Sequence, residues 1–159
     1  MTPLISFVVT YYNEPYALLR ACIESILALN LSPDEAEILV VEDGVEHKIQ
    51  DKVCSLSPLV GYVCQEHAGL SVARNTGISC SHGKYIQFVD ADDCLEPLAY
   101  AAVLELLRSQ EDDAVMFRMT TKQGEKSGRL SARQTTGKDF LLRHNLRAAA
   151  WGYAFRRDI

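Results

Sequence analysis

Short runs of apolar, largely β-branched residues recur along this chain, separated by segments of helical length and pattern. That alternation limits the possible folds more than any other feature. Residues 5–10, 37–42, 60–64, 84–89 and 114–119 read as buried strands. Between them, residues 16–28 read as a helix with Leu18, Leu19, Cys22, Ile23, Ile26 and Leu27 on one face. Residues 48–55 give a weaker helix, and residues 70–79 a helix that packs through Val72, Ala73 and Gly77. Residues 97–109 form a further helix with Pro97 near its start, where a missing N–H costs nothing. Strand and helix alternating in units of about 25–35 residues predict an α/β architecture, a mainly parallel sheet with helices on both faces.

The pattern weakens after Thr120. Residues 123–136 are polar and read as a loop or hairpin, residues 136–145 as a short helix with Thr136 or Gly137 at its N-cap, and residues 151–157 as a strand or turn. The chain has 159 residues, which suits one domain with a single core, here spanning 1–159. Apolar residues make up 48% of it, enough to fold.

With a net charge of -5 and no Lys/Arg cluster, a groove for a nucleic-acid backbone is excluded. A phosphate-bearing substrate would need its charge offset locally, by a metal or by one or two placed arginines. The five cysteines are odd in number and none is spaced as a zinc pair, so they are expected to be buried free thiols. The first apolar run is too short for a signal peptide or a membrane span.

In an open parallel sheet, ligands bind beyond the carboxyl ends of the strands. Thr10, Tyr12, Asn13 and Glu14 follow the first strand. Glu42, Asp43 and Gly44 follow the second, and Asp90-Ala91-Asp92-Asp93 follow the fourth. Acidic groups thus converge on one edge, and they repel unless a cation or hydrogen-bond donors offset them. Mg²⁺ and Mn²⁺ bind carboxylate oxygens, often only one or two from protein, with phosphates and water completing the shell. Capping of the following helix by Asp92 or Asp93 accounts for one aspartate but not three. Asp43-Gly44 alone is equally a turn, and Tyr12 is either a stacking surface for a base or a packed aromatic. Arg74, the one cation in a helix of small and apolar residues, is a partner for the aspartates or for phosphate, or else a solvated surface residue.

No Gly-x-Gly-x-x-Gly, P-loop or Gly-x-Ser-x-Gly elbow is present, and His47, His67, His82 and His144 fall in no motif. A phosphatase would carry its Asp-x-Asp on the first strand, and a sugar nucleotidyltransferase a Gly-rich basic loop there.

Taken together, Phe7-Val8-Val9-Thr10-Tyr11-Tyr12-Asn13, Val40-Val41-Glu42-Asp43-Gly44, Gly69 to Ile78 and Phe88-Val89-Asp90-Ala91-Asp92-Asp93 resemble, in order, the segments of glycosyltransferase family 2, and Trp151 to Arg157 resembles a further one. The resemblance implies a GT-A fold, Rossmann-like, and an inverting enzyme. It would transfer sugar from a nucleotide-diphosphate donor, UDP-sugar favoured, to a glycan or lipid-linked acceptor in polysaccharide synthesis. It implies a nucleotide-sugar site of Thr10, Tyr12, Glu14, Asp43, Arg74, Asp90 and Asp92. Tyr12 would lie against the base, Asp43 would accept from uracil N3–H, and Arg74 would hold the ribose or diphosphate side. Asp90 and Asp92 would form the Asp-x-Asp motif for Mn²⁺ or Mg²⁺, Asp92 touching the metal and Asp90 the metal, the ribose or Arg74. Glu42 stands where the family often has Asp. The resemblance also implies a cytoplasmic protein, including a peripheral place at the inner face of the membrane. The competing class is a non-catalytic nucleotide-sugar or metal-binding module.

Family members carry a catalytic Asp or Glu beyond the tryptophan segment, and here only Asp158 follows it. The catalytic base is therefore expected beyond Ile159, and the 159 residues are expected to be an incomplete catalytic domain, truncated at the C-terminus. General-base activation contributes roughly a hundred- to ten-thousand-fold in rate. The 159-residue chain should thus bind donor while sugar transfer stays near background. Robust inverting transfer across a panel of donors and acceptors would place the base within these residues.

Overall fold

The computed structural model describes residues 2–44, 49–109, 111–117, 134–143 and 150–159. Along the chain run β1 (Ile5–Tyr11), α1 (Tyr16–Leu27), β2 (Ala36–Asp43), α2 (Gln50–Cys54), β3 (Val60–Gln65), α3 (Leu70–Cys80), β4 (Tyr85–Asp90), α4 (Pro97–Ser109), β5 (Ala114–Met116) and α5 (Gly137–Arg143). A single 3₁₀ turn, Ala150–Gly152, then leads into β6 (Tyr153–Arg156). The six strands form one sheet in the order β3-β2-β1-β4-β6-β5. The first four are parallel, and β6 runs antiparallel to both β4 and β5.

Every residue of β1 is buried. Its side chains alternate between two cores because successive residues of a strand point to opposite faces. Ile5, Phe7, Val9 and Tyr11 join one core with Leu19, Cys22, Ile23 and Ile26 of α1, Val53 of α2, and Tyr100, Val103, Leu104 and Leu107 of α4. Val8 joins the other with Leu39, Val41, Ile86, Phe88 and Ala73 of α3. Three helices therefore cover one face and α3 the other, as the alternating pattern predicts.

Several boundaries and faces shift from the sequence reading. Leu18 and Val72, expected on packing faces, are exposed. The fifth strand is three residues long and closes at Met116; the expected extension and the polar stretch 123–133 lie largely outside the described residues. Thr136, rather than Gly137, caps α5: its hydroxyl accepts the Asp139 N–H at 3.1 Å and donates to the Asp139 carboxylate at 2.9 Å. All five cysteines are free, but only Cys22 is buried; Cys54, Cys64 and Cys94 are exposed and Cys80 is intermediate.

The helix α3 lies so close to the sheet that Gly77 cannot carry a side chain. A Cβ on Gly77 would sit 2.2 Å from Cγ1 of Val8, a fully buried residue of the central strand. Overpacking of this kind costs about 1–3 kcal/mol. Gly77→Ala is expected to lower stability by about that amount, read as a lower denaturant midpoint at unchanged slope. An unchanged midpoint would mean that α3 stands further from β1.

Candidate nucleotide-binding site

Strand order reverses between β1 and β4. From β1 the chain steps outward through β2 to β3, then returns across the sheet to lay β4 on the other side of β1. This reversal leaves a crevice at the carboxyl ends of β1 and β4. Thr10 and Asp90 are register partners at its edge. A cleft of about 290 Å³ opens there, lined by Thr10, Tyr12, Glu14, Asp43, Asp90 and Asp92, with His67 and the start of α3 completing the wall. Six of the seven residues nominated from the sequence therefore share one cleft. The seventh, Arg74, stands beside it, its Nη2 2.9 Å from Oδ1 of Asp90. A larger groove, about 410 Å³, lies elsewhere, along β4 and β6 among Ile78, Ile86, Phe88 and Phe155, and no carboxylate side chain lines it.

Asp43 organises the wall of the cleft on the β2 side. It ends β2, is 4% exposed, and accepts hydrogen bonds on both carboxylate oxygens. Oδ1 takes the Gln65 side-chain amide and the Ala68 N–H, each at 2.8 Å. Oδ2 takes the Gly69 N–H at 2.8 Å and lies 2.9 Å from Nδ1 of His67. Burial pushes this carboxyl up, but the Ala68, Gln65 and Gly69 donors together with the nearby His67 outweigh it, and its pKa is lowered. Gly69 enters α3 with φ of 92°, the left-handed region glycine tolerates, which lets consecutive backbone N–H groups face the carboxylate.

The Tyr12 ring, 43% exposed, lies on the rim. Gly44 lies against it, where an added Cβ would make an ordinary contact with Cε2 of Tyr12 at 3.4 Å. His67 stacks on the same ring with centroids 4.2 Å apart and planes at 21°. Glu14 faces the cleft but also folds its own loop, accepting the N–H groups of Tyr12 and Asn13 at 3.0 and 3.2 Å.

On the other side of β1 the charges are acidic. Arg74 pairs with Asp90 and lies over the Phe88 ring, 5.6 Å from its centroid. Its Nε is buried and has no hydrogen-bond partner. Asp92 is exposed, and Asp93 is pushed above the usual carboxylate range by burial and then by Asp92 and Asp90. Neither Asp92 nor Asp93 caps α4. That place is taken by Glu96, whose carboxylate accepts the Ala99 N–H at 2.6 Å, so the capping explanation of the Asp90–Asp93 cluster fails. Among the described residues, no three His, Cys, Asp or Glu side chains converge tightly enough to hold a metal by themselves. Asp92, with or without Asp90, suits instead a hard cation that takes most of its oxygens from phosphate and water.

The model of the family described as "Glycosyl transferase family 2" matches residues 6–159. This chain belongs to glycosyl transferase family 2. It is 35% identical over 119 residues to the uncharacterized glycosyltransferase EpsJ of Bacillus subtilis (strain 168), covering 72% of this chain and 33% of that protein. It is 31% identical over 175 residues to the uncharacterized glycosyltransferase YibD of Escherichia coli (strain K12), covering 99% of this chain and 50% of that protein. The fold matches the crystal structure of S. aureus TarS 1-349 with a TM-score of 0.78 at 18% identity, over 96% of this chain and 47% of that one. This chain thus spans half or less of the length of these relatives. TarS 1-349 has also been crystallised in complex with UDP and with UDP-GlcNAc. No described helix is long and apolar enough to cross a membrane.

His67, Gln65 and the backbone of Ala68 and Gly69 were not nominated as site residues from the sequence. The available signal was positional: they follow β3, whose carboxyl end meets the same edge of the sheet.

Asp43 should matter for stability apart from any ligand. Asp43→Asn turns an acceptor into a donor facing N–H groups and is expected to cost about 1–3 kcal/mol. Its folded pKa lies below the unfolded one, near 3.9, so the wild-type carboxylate contributes fully above that value. The contribution is lost as pH falls through the folded pKa. Urea unfolding from pH 3 to 7 should show the wild type losing more stability on acidification than the Asn variant; parallel curves would overturn this.

Proposed function

We propose that this domain binds a nucleoside-diphosphate sugar, a UDP-sugar first, together with Mn²⁺ or Mg²⁺, as the donor half of an inverting glycosyltransferase. One observation carries the reading: a carboxylate and an aromatic ring suited to a base, and a carboxylate cluster suited to a cation and phosphate, share one cleft on opposite sides of β1. They are separated by about two strand spacings, roughly 10 Å, of the order of a nucleoside's length. The UDP and UDP-GlcNAc complexes of TarS, which shares this fold, support the choice of nucleotide.

Each side chain has a task in this reading. Tyr12 offers a flat face to the base, and Asp43 an acceptor for a ring N–H such as N3–H of uracil. Thr10 and Glu14 line the nucleoside portion, Glu14 while holding its loop. Asp92 would hold the cation, and Asp90 faces ribose while its pairing with Arg74 limits repulsion within the cluster. Arg74, fixed on Asp90 beside the cleft, contributes positive charge next to the phosphates. Bound there, the cation supplies positive charge against the negative charge that develops on the departing diphosphate. Transfer itself is attack of an acceptor saccharide hydroxyl on the anomeric carbon with inversion. The residue that takes the hydroxyl proton is not assigned among those that line the cleft.

Calorimetry with UDP should show binding in Mn²⁺ or Mg²⁺ and much weaker binding in chelator. Asp92→Ala should lower the metal-dependent affinity at least about tenfold, a loss typical even of groups that only support a metal ligand, with the thermal midpoint of the ligand-free protein unchanged. Equal affinity with and without metal would remove the cation from the proposal. Loss of folding in Asp92→Ala, with metal-dependent binding per folded molecule retained, would make Asp92 a structural residue.

A further inference from the structure

The cleft already holds a ring where the base belongs. His67 lies flat on Tyr12, centroids 4.2 Å apart, and its Nδ1 is 2.9 Å from Oδ2 of Asp43 and 3.1 Å from the Asp43 carbonyl oxygen. Both neighbours of Nδ1 are acceptors, so Nδ1 carries a hydrogen and donates it. A pyrimidine with an N3–H would bring the same two features to the same two residues: a flat ring for Tyr12 and a ring N–H for Asp43. The two rings are already in contact, so no third ring fits between them. Asp43 is equally occupied, because a carboxylate has about four acceptor positions and Gln65, Ala68, Gly69 and His67 already meet them. The first three come from a strand end and from backbone that shapes the entry to α3. His67 is the exchangeable partner: its side chain is 54% exposed, on the short loop between β3 and α3.

We propose that His67 is an internal stand-in for the nucleobase, which binds by displacing the imidazole from both Tyr12 and Asp43. This rests on the nucleotide-sugar reading of the cleft. In the empty protein His67 keeps Asp43 satisfied and the Tyr12 face covered. The cost of moving it sets part of the affinity for the base and none of the affinity for the diphosphate. A ring lacking an N–H at the matching position leaves Asp43 unsatisfied after His67 has gone, so the exchange favours uracil over cytosine.

His67→Ala removes the competitor. Wild-type His67 must give up its stack on Tyr12 and its exposed pairing with Asp43 before the base can enter, and the variant need not. UDP with Mn²⁺ should therefore bind at least about threefold more tightly to His67→Ala than to wild type by calorimetry. His67→Ser should behave alike, and the affinity for inorganic diphosphate with Mn²⁺ should be the same in all three proteins. In NMR spectra of the ligand-free wild type, the His67 ring protons should show an upfield shift from Tyr12 that Tyr12→Leu abolishes. Saturating UDP should also remove it. Weaker UDP binding by both His67 variants would make His67 a direct contact to the base and overturn the displacement. So would a His67 spectrum that UDP leaves unchanged, or UDP affinities equal in all three proteins. If neither UDP nor diphosphate binds wild type or variants, the nucleotide-sugar reading itself fails and takes this proposal with it. Binding of UDP without the His67 effect removes the proposal alone.

Discussion

The carboxylate of Asp43 ties the paired ends of β2 and β3 to the start of α3 at this edge. It sits at the last residue of β2 and accepts from Gln65 at the end of β3 and from consecutive N–H groups where α3 begins. A nearly buried charge is tolerable only when its oxygens are filled in this way. The same bonds set where α3 starts. Its start fixes which face of the helix meets the sheet, with Ala73 and Gly77 inward and Arg74 directed to Asp90. The wall of the cleft on the β2 side and the placement of Arg74 thus share one origin, the demand of one carboxylate for donors.

Across β1 the same physics is left partly unfinished. Asp90 has a guanidinium, but Asp92 and Asp93 stand close to it, and Asp93 is driven toward its protonated form by burial and by its neighbours. Charges held this close raise the free energy of the empty site and lower that of any state in which positive charge enters. A cation placed among them would relieve the crowding. One wall is thus satisfied by the protein's own groups and the other only in part.

Much of this was legible beforehand because the signals are local. Strands β1 to β4 announce themselves as β-branched runs that end in polar residues, and the rule that ligands gather at carboxyl ends in parallel sheets then selects Thr10, Tyr12, Asp43, Asp90 and Asp92 with no coordinates at all. What escaped was contact across the sheet. His67 looked like one of four scattered histidines, since nothing in its neighbours along the chain says that the β3–α3 loop folds over Tyr12. Glu14 reads as a ligand-facing acid, yet it also ties down its own loop. Leu18 and Val72 fit a helical stripe by spacing but fall at its solvent margin, where a stripe drawn by period alone is too wide. The cysteines read as core thiols by type, but Cys54, Cys64 and Cys94 are exposed.

The sequence by itself determined the elements, the parallel character of the first four strands and the identity of the acidic edge, because each follows from residue type and period over a few positions. The tertiary structure alone decided how distant pieces are arranged. The return of β6 between β4 and β5, antiparallel to both, depends on contacts such as the Gln87 amide donating to the Trp151 carbonyl at 2.7 Å, 64 residues along the chain. The stacking of His67 on Tyr12 and its pairing with Asp43 likewise bring together groups 55 and 24 residues apart in sequence. Such pairings are settled by which buried donors and acceptors remain to be satisfied once the core has closed, and that cannot be read from any window of the chain.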